Sequence, residues 1–312
     1  MKPYLEVHPW SVVESGWNPE DVRRSESMFS IGNGRFGQRA NFEEAYTGDT
    51  LRGSYVAGVY YPDKTRVGWW KNGYPEYFAK VLNATNWIAI DVEVNGEAVD
   101  LAQAASVDHF RRELDMQRGL LKREVELTLT NGARIRIETE RFCSMARPEV
   151  AAMRYRVVAL TDGLDVTLSP GLDGDVFNED SNWDDAFWEV DAVEASAADG
   201  AALVVNTTLK TAYTVGTAMV AHHGTDGEGG DHPELRAEGN RVTIVRTVRL
   251  AAGQAAWVEK FIGLESTLHH ERDHVGAAAQ AAAESAAEAG FDELKAEHGA
   301  AWQAIWTTGD IE

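Results

Sequence analysis

Cysteine is nearly absent from this sequence, which has one such residue, Cys143, in a chain of 312. A single cysteine cannot form a disulfide within the chain, so the fold must be stable without one. Because Cys143 follows the alternating run 134–142, we expect a buried structural thiol. Proline is also scarce, with 8 residues, while hydrophobic residues make up 44%. This composition is typical of a folded chain and not of a disordered one.

Long hydrophobic runs are missing as well. No stretch of about 18 apolar residues occurs, so we expect no transmembrane helix. The first ten residues contain Pro3, Glu6 and His8 and lack the apolar stretch of a secretory signal. Together with the lone cysteine, these observations predict a reducing, cytoplasmic location.

Positive charge is in the minority, with 29 Lys and Arg against 50 Asp and Glu and a net charge of −21. A surface this acidic repels the phosphates of nucleic acids and the headgroups of anionic lipids. We therefore expect neither a nucleic acid nor a membrane as a partner.

Apolar and polar residues alternate along much of the sequence between about 28 and 263, and this period of two is typical of β-strands. The clearest hairpin joins 123–130 to 133–139 through Asn131-Gly132, for which the pattern predicts a type I′ turn. Further strands are predicted at 87–94, 150–158, 164–169, 203–208, 214–222, 241–250 and 255–262. So many strands without intervening helices predict a mainly β fold, a large antiparallel β-sandwich or supersandwich.

The composition changes towards the end of the sequence, where alanine becomes frequent. The run 275–289 predicts a helix that ends at Gly290, and 291–306 predicts a second helix with one apolar side. That apolar side needs a surface to pack against. We therefore divide the chain into an amino-terminal β-sandwich domain, 1–268, and a short helical linker, 269–312.

Residues 32–37 read Gly-Asn-Gly-Arg-Phe-Gly, a literal match to the dinucleotide-binding motif G-x-G-x-x-G. The motif requires a strand before it, a helix after it and a parallel βαβ unit around it. Residues 38–46 have no apolar helical stripe, and no such unit follows. We interpret the glycines as a tight turn between strands.

Residues 270–274 read His-Glu-Arg-Asp-His, the H-E-x-x-H pattern of zinc hydrolases, for which His298 or Glu288 would supply a third ligand. The motif is charged throughout and precedes an Ala/Glu-rich helix, so a charged helix start is the ordinary interpretation. Three more histidines flank the glycine-rich acidic stretch 224–231, which is typical of a surface loop: His222, His223 and His232. We predict no metal site.

The segment 173–185 is dense in carboxylates, but it lacks the glycine that an EF-hand calcium loop has at its sixth position. Aromatic residues lie within and after it: Phe177, Trp183, Phe187 and Trp188. Aromatic rings stack on the apolar faces of sugars and carboxylates accept their hydroxyl protons. The segment therefore fits sugar binding and, equally, a long loop packed on a neighbouring domain.

The segment 60–78 follows neither the strand nor the helix period and places aromatic residues among proline and glycine. A rigid aromatic loop suits recognition of a sugar or of a protein surface. Our candidates for substrate binding or for an interface are Trp69, Trp70, Lys71 and Tyr74.

The sequence resembles glycoside hydrolase family 65, the disaccharide phosphorylases. The resemblance lies chiefly in residues 26–44, 53–60 and 62–78, and again in 173–188 and 301–311. The resemblance implies a β-sandwich, a helical linker, an (α/α)6 catalytic barrel and a small carboxy-terminal sheet domain. This chain is expected to hold the first two and to stop before the barrel. The aromatic loop resembles, in particular, family members that act on maltose.

The family mechanism implied by the resemblance is an inverting phosphorolysis. One carboxylic acid protonates the leaving glycosidic oxygen, and inorganic phosphate replaces the water of an inverting hydrolase. In the family these groups lie on barrel loops, so we name no catalytic residue in this chain. We expect the complete enzyme to convert maltose and phosphate to β-glucose 1-phosphate and glucose, with no cofactor beyond the co-substrate phosphate.

The expected partners are the chain's own barrel domain, a second copy in a homodimer, and the disaccharide. We expect the chain alone to be inactive. Three alternatives remain open at this point: a stand-alone carbohydrate-binding or protein-interaction module, a related phosphorylase acting on trehalose, kojibiose or nigerose, and a zinc hydrolase.

Overall fold

The structure is a computed structural model that describes residues 4–66, 75–228, 230 and 232–309. The described residues form twenty strands, three α-helices and two 3-10 helices, the latter at Pro19–Asp21 and Arg272–His274. The strands are β1 Leu5–His8, β2 Ser11–Ser15, β3 Ile31–Gly32, β4 Phe36–Gln38, β5 Ser54–Val56, β6 Tyr60–Lys64, β7 Tyr77–Val81, β8 Ile90–Val94, β9 Glu97–Ala98, β10 Ser106–Asp115, β11 Leu120–Thr128, β12 Arg134–Cys143, β13 Val150–Ala159, β14 Leu164–Asp173, β15 Trp188–Ser196, β16 Ala201–Thr208, β17 Thr214–Thr225, β18 Glu234–Glu238, β19 Arg241–Leu250 and β20 Ala255–Ser266. The α-helices are α1 Val22–Met28, α2 Val275–Ala289 and α3 Phe291–Gly309.

Two antiparallel sheets form the sandwich that the sequence predicts. The larger has ten strands in the order β1-β2-β10-β11-β12-β13-β20-β17-β16-β15, and the smaller has five in the order β18-β19-β14-β8-β9. The smaller sheet lies on the larger one through β14, which contacts β16, β17 and β20. Two small sheets, β3-β4-β5 and β6-β7, carry the loops of the first 80 residues.

The period-two pattern explains the main core, because it places one face of each strand between the sheets. Ile135 and Ile137 of the larger sheet are fully buried there with Val92 and Val166 of the smaller one. Cys143 is buried too, and burial raises the pKa of its thiol to about 12. The thiol is therefore a packing group, as the sequence predicts.

The outer face of the larger sheet is covered by α2 and α3. Ala279 and Ala283 of α2 pack on Leu203 and Ala218, while Phe291 and Leu294 of α3 pack around Phe142 and Phe261. The described residues thus form three layers: the two helices, the larger sheet and the smaller sheet, in that order. The division at residue 268 stays a prediction.

Helix α2 begins and ends where the sequence predicts, and Gly290 stops it with a φ of 82°. Helix α3 continues three residues beyond the predicted end, to Gly309. None of the described helices has the length and apolar character needed to span a membrane.

The turn prediction at Asn131-Gly132 is wrong. Of this pair, only Gly132 has a positive φ, 84°, and its N–H donates to the carbonyl of Leu129 at 3.0 Å. A type I′ turn needs two residues in the left-handed region. That conformation occurs instead at Asn95 and Gly96, with φ values of 53° and 78° between β8 and β9.

Candidate functional site

The four candidate residues Trp69, Trp70, Lys71 and Tyr74 lie outside the described residues, so their role stays a prediction. The strands on either side of their loop are described. β6 and β7 pair antiparallel, with Lys64 opposite Tyr77, and the N–H of Thr65 donates to the carbonyl of Glu76 at 2.9 Å. Strands β6 and β7 therefore pair up to the two residues Thr65 and Glu76.

A cleft lies beside this hairpin, enclosed by residues 50–55, 78–86 and 173–180, and we call it the three-loop cleft. It consists of two adjoining cavities with volumes of about 230 and 650 Å³. The smaller cavity lies between the first and third loops, and the larger one opens along β7. Five of the lining residues are common to both cavities: Leu51, Arg52, Asn83, Phe177 and Glu179.

Asn83 connects the three loops. Its side-chain oxygen accepts the backbone N–H of Ser54 at 3.0 Å, and its side-chain nitrogen donates to the carbonyl of Phe177 at 3.2 Å. Its own N–H donates to the side-chain oxygen of Asn178 at 2.8 Å, and its carbonyl accepts the indole N–H of Trp188 at 2.8 Å. These bonds fix the walls of the cleft relative to one another.

A buried ion pair joins the hairpin to the acidic segment. Asp63 on β6 is fully buried, and one of its oxygens lies 3.1 Å from Lys80 Nζ on β7. The same oxygen accepts the N–H of Asn182 at 3.0 Å. Lys80 also lies 3.2 Å from a carboxylate oxygen of Asp180. Because the buried Oδ2 of Asp63 finds these partners only in this arrangement, the segment around 180 is held against the hairpin.

Aromatic groups of the two segments that the sequence singles out also meet. The indole N–H of Trp183 donates to the carbonyl of Lys64 at 3.1 Å, and the guanidinium of Arg66 lies 5.1 Å from the Trp183 ring centre. Segment 173–188 is thus packed against the base of the aromatic hairpin. This contact was not predictable from sequence spacing, since the partners are more than 100 residues apart.

Three polar groups in the smaller cavity keep unused hydrogen-bonding capacity. Arg52 forms no hydrogen bond or ion pair with a residue that the structure describes, and neither does the side-chain amide of Asn86. Asp173 accepts the N–H of Asp175 at 3.0 Å through one carboxylate oxygen only. Burial raises the pKa of Asp173, while nearby Arg241 and Arg52 partly offset the rise. Sequence reasoning missed Arg52 and Asn86, because no local pattern marks them.

The glycine motif at 32–37 is a hairpin turn, which confirms the interpretation from sequence. Strands β3 and β4 pair with Gly32 opposite Gly37, and the side-chain oxygen of Asn33 accepts the N–H groups of Arg35 and Phe36 at 3.0 and 3.1 Å. The next element after β4 is the strand β5 and not a helix. The turn therefore lacks the helix N-terminus on which a dinucleotide site depends.

The H-E-x-x-H residues have other partners. His270 Nε2 lies 3.2 Å from a carboxylate oxygen of Glu265, and His274 ends the second 3-10 helix. His298 lies in α3, where it accepts the N–H of Met145 at 3.1 Å and contacts the carbonyl of Gly119 at 3.2 Å. Among the described residues, no three His, Cys, Asp or Glu side chains are grouped to bind a metal.

Buried charges anchor the loop that leads into the cleft. Arg123 binds Glu44 at 2.5 Å and Glu43 at 2.7 Å, with all three side chains at most 4% exposed. Arg141 also binds Glu43, and the positive charges of Arg141 and Arg123 lower the pKa of Glu43 against the opposing effect of burial. The hydroxyl of Tyr155 donates to Glu44 at 3.2 Å. These contacts attach segment 39–46 to the larger sheet.

Comparison with known proteins agrees with this architecture. Residues 12–305 match the family described as glycosyl hydrolase family 65, N-terminal domain. Maltose phosphorylase of Bacillus subtilis (strain 168) is 37% identical over 311 residues, which cover 99% of this chain and 40% of that protein. Alpha,alpha-trehalose phosphorylase of Thermoanaerobacter brockii is 23% identical over 323 residues, covering 99% of this chain and 41% of that protein.

A solved structure described as a putative kojibiose phosphorylase from human microbiome has the same fold, with a TM-score of 0.84 and 23% identity. The alignment covers 98% of this chain and 39% of that one. The chain thus spans about two fifths of the length of these relatives. Since the family match extends over nearly the whole sequence, the chain belongs to glycosyl hydrolase family 65 and carries its N-terminal domain.

Proposed function

We propose that the chain is the N-terminal domain of an inverting disaccharide phosphorylase that acts on maltose. The observation that carries the proposal is the 37% identity to a maltose phosphorylase over 99% of the chain, against 23% to a trehalose phosphorylase over the same share. In the proposed reaction a carboxylic acid gives its proton to the glycosidic oxygen. A phosphate oxygen then bonds to the sugar carbon from the opposite face, which yields β-glucose 1-phosphate and glucose.

The catalytic acid and the phosphate-binding groups are proposed to belong to the part of the enzyme that corresponds to the other three fifths of the relatives. The charge of the three-loop cleft supports this assignment. Asp173, Asp175 and Glu179 line its smaller cavity, with Arg52 as the positive group among the lining residues. A net negative cavity disfavours a phosphate dianion. We therefore expect no phosphorolysis by the 312 residues alone.

The domain's own contribution is proposed to be recognition. Large apolar side chains are exposed on the β6–β7 hairpin and the adjoining acidic segment: Tyr60, Tyr77, Phe78, Val81, Phe177 and Trp183. Grouped apolar side chains with a polar rim are typical of binding surfaces. Strands β6 and β7 flank in sequence the segment that carries Trp69, Trp70, Lys71 and Tyr74, for which we propose a role in substrate binding or in a subunit contact.

A fusion experiment tests the proposed reaction. The 312-residue chain is joined to the portion of the Bacillus subtilis maltose phosphorylase that follows its matched region, and phosphate-dependent glucose release is measured with maltose, trehalose and kojibiose. We expect the fusion to act on maltose and the chain alone to be inactive, beside the intact Bacillus enzyme as positive control. Activity of the fusion on trehalose or kojibiose but not maltose would overturn the proposed specificity, and activity of the chain alone would place the acid within it.

We also propose that the complete enzyme is a cytoplasmic homodimer. Light scattering of the same fusion measures its oligomeric state. A monomer would contradict the dimer.

A stand-alone carbohydrate-binding module is the second candidate, and the open aromatic cleft favours it. The two candidates differ in the source gene. A reading frame that continues past Glu312 into a helical barrel supports the phosphorylase, whereas a stop codon there supports the module.

A further inference from the structure

The three-loop cleft has the dimensions of a site for a small, roughly planar ligand. Its inner cavity of about 230 Å³ has room for one sugar ring, and the adjoining cavity of about 650 Å³ has room for a second. The two share a boundary at Asn83 and Phe177. A ligand made of two linked rings would therefore occupy both cavities across this boundary.

The unused polar groups of the inner cavity match the chemistry of hydroxyl groups. Arg52 and Asn86 offer N–H donors that no described residue engages, and Asp173 offers a carboxylate oxygen that accepts no hydrogen bond from the described part of the chain. A hydroxyl group can donate one hydrogen bond and accept others. Adjacent hydroxyls of a pyranose ring can thus donate to Asp173 while they accept from Arg52 and Asn86.

Phe177 supplies the apolar element that sugar recognition requires. Its side chain is 75% exposed at the junction of the two cavities, and among the described rings none stacks on it. Its backbone is held in place, because its carbonyl accepts the amide of Asn83. A fixed backbone with a free ring face is suited to contact the C–H face of a pyranose.

The backbones of two of the polar groups, Asn86 and Asp173, are held in position before any ligand arrives. Asn86 and Asp173 exchange two backbone hydrogen bonds of 2.8 and 3.2 Å, and Asp175 is fixed by Asn240 at 2.7 Å. Such pre-organisation reduces the entropy lost on binding. The carboxylates around the cavity disfavour anions, and a neutral polyhydroxyl ligand is compatible with them.

From this geometry we propose that the three-loop cleft binds a neutral gluco-disaccharide, with one ring between Arg52, Asn86 and Asp173 and the junction of the rings at Phe177. The assignment to maltose in particular rests on the proposed function. The site takes part in no bond-breaking step. It is a binding site that the domain possesses without a catalytic partner.

Binding is measured by NMR titration of the 312-residue chain with maltose, trehalose, kojibiose, β-glucose 1-phosphate and inorganic phosphate. We expect saturable shifts with maltose and none with phosphate. Phe177→Ala and Arg52→Met are each expected to weaken maltose binding about tenfold or more, since both remove a central contact. Leu235→Ala and Arg134→Met change exposed side chains outside the cleft and are expected to leave binding unchanged. Circular dichroism verifies that each variant is folded.

The outcomes separate this inference from the proposed function. Absence of maltose binding by the chain, beside a fusion that phosphorolyses maltose, would overturn the cleft and leave the proposed function intact. Unchanged maltose binding in folded Phe177→Ala and Arg52→Met would also overturn it. Binding of another gluco-disaccharide that both variants weaken, with a fusion inactive on maltose, would support the cleft and overturn the maltose assignment.

Discussion

The side-chain oxygen of Asn83 accepts the backbone N–H of Ser54 at 3.0 Å, in a position where both residues are at least nine-tenths buried. At this depth the Ser54 N–H has little access to solvent. We expect Asn83→Ala to lower the free energy of unfolding by about 1–3 kcal/mol, since it leaves a buried N–H without a partner. Urea denaturation measures the loss, and limited proteolysis shows whether the loops around the cleft open.

Gln103→Ala is the matched control for Asn83→Ala. Gln103 also donates a side-chain hydrogen bond, to the Thr47 hydroxyl at 3.0 Å, but it is exposed. Its replacement should change the unfolding free energy by less than about 0.5 kcal/mol. Equal losses in the two variants would show that Asn83 does not connect the loops in the way described.

Arg123 provides a test of the buried charges. Arg123→Met removes the partner of Glu43 and Glu44 and leaves a buried carboxylate pair with Arg141 as the remaining cation. Breaking a buried pair from one side destabilises proteins by about 3–5 kcal/mol. We expect a loss of that size in urea denaturation.

The surface pair of Arg249 with Asp165 at 2.9 Å provides the comparison for Arg123, because its side chains are 63% and 52% exposed. Arg249→Met should cost less than about 1 kcal/mol, as exposed ion pairs do. If both arginine variants were equally stable, the buried network would not be what holds segment 39–46 to the sheet.

The pH dependence of stability has a specific contribution from His223. Burial lowers the pKa of this histidine to about 4, and the nearby charges of Arg246 and His222 act in the same direction, while the backbone of Leu168 opposes them. The unfolded chain, with a histidine pKa near 6.5, binds more protons than the folded one between these two values. The contribution is therefore complete above about pH 6.5 and is lost progressively as the pH falls towards 4, up to about 3 kcal/mol.

Comparison of the wild type with His223→Gln isolates this contribution from the titration of carboxylates. The stability difference between the two proteins should move in favour of the variant as the pH falls from 6.5 to 4. His269→Gln, at an exposed position, should follow the wild type through the same range. Parallel curves for the wild type and His223→Gln would contradict the buried, neutral state of His223.

The sequence predicts nine of the twenty described strands and the end of α2, because their signals are local: β8, β11, β12, β13, β14, β16, β17, β19 and β20. The sequence pattern does not predict β10, because the buried positions of this strand include Arg112. Its guanidinium lies 5.4 Å from the ring centre of Phe110, at a position where the alternating pattern requires an apolar residue. The sequence predicts the type I′ turn at Asn131-Gly132, whereas the structure has it at Asn95-Gly96. Both pairs have the same turn chemistry, so residue type alone does not separate them.

Strand register decides between the two turns. Val94 pairs with Glu97, which leaves a two-residue loop, whereas Thr128 pairs with Arg134 and leaves a longer one.

The cleft was not predictable from the sequence for a related reason. Its members come from three loops, and contacts such as that from Asn83 to Asn178 join residues 95 positions apart. Only the packing of the β3-β4-β5, β6-β7 and five-stranded sheets brings them together.

Gly263 on β20 lies directly beneath α2, so its replacement tests how closely that helix packs on the sheet. Gly299 in α3 provides the control. A Cβ at 263 would clash with the carbonyl oxygen of Ala279 and lie 2.7 Å from the nitrogen of Ala283. Because the obstructing atoms are backbone on a packed helix, a side chain here must push α2 off the sheet. We expect Gly263→Ala to cost about 3 kcal/mol in urea denaturation, with faster amide exchange along α2. Gly299, inside α3, has no atom within 4 Å of an added Cβ, so Gly299→Ala should stabilise the chain by about 0.5–1 kcal/mol through helix propensity. A Gly263→Ala protein as stable as the wild type would mean that α2 does not pack against β20 as closely as described.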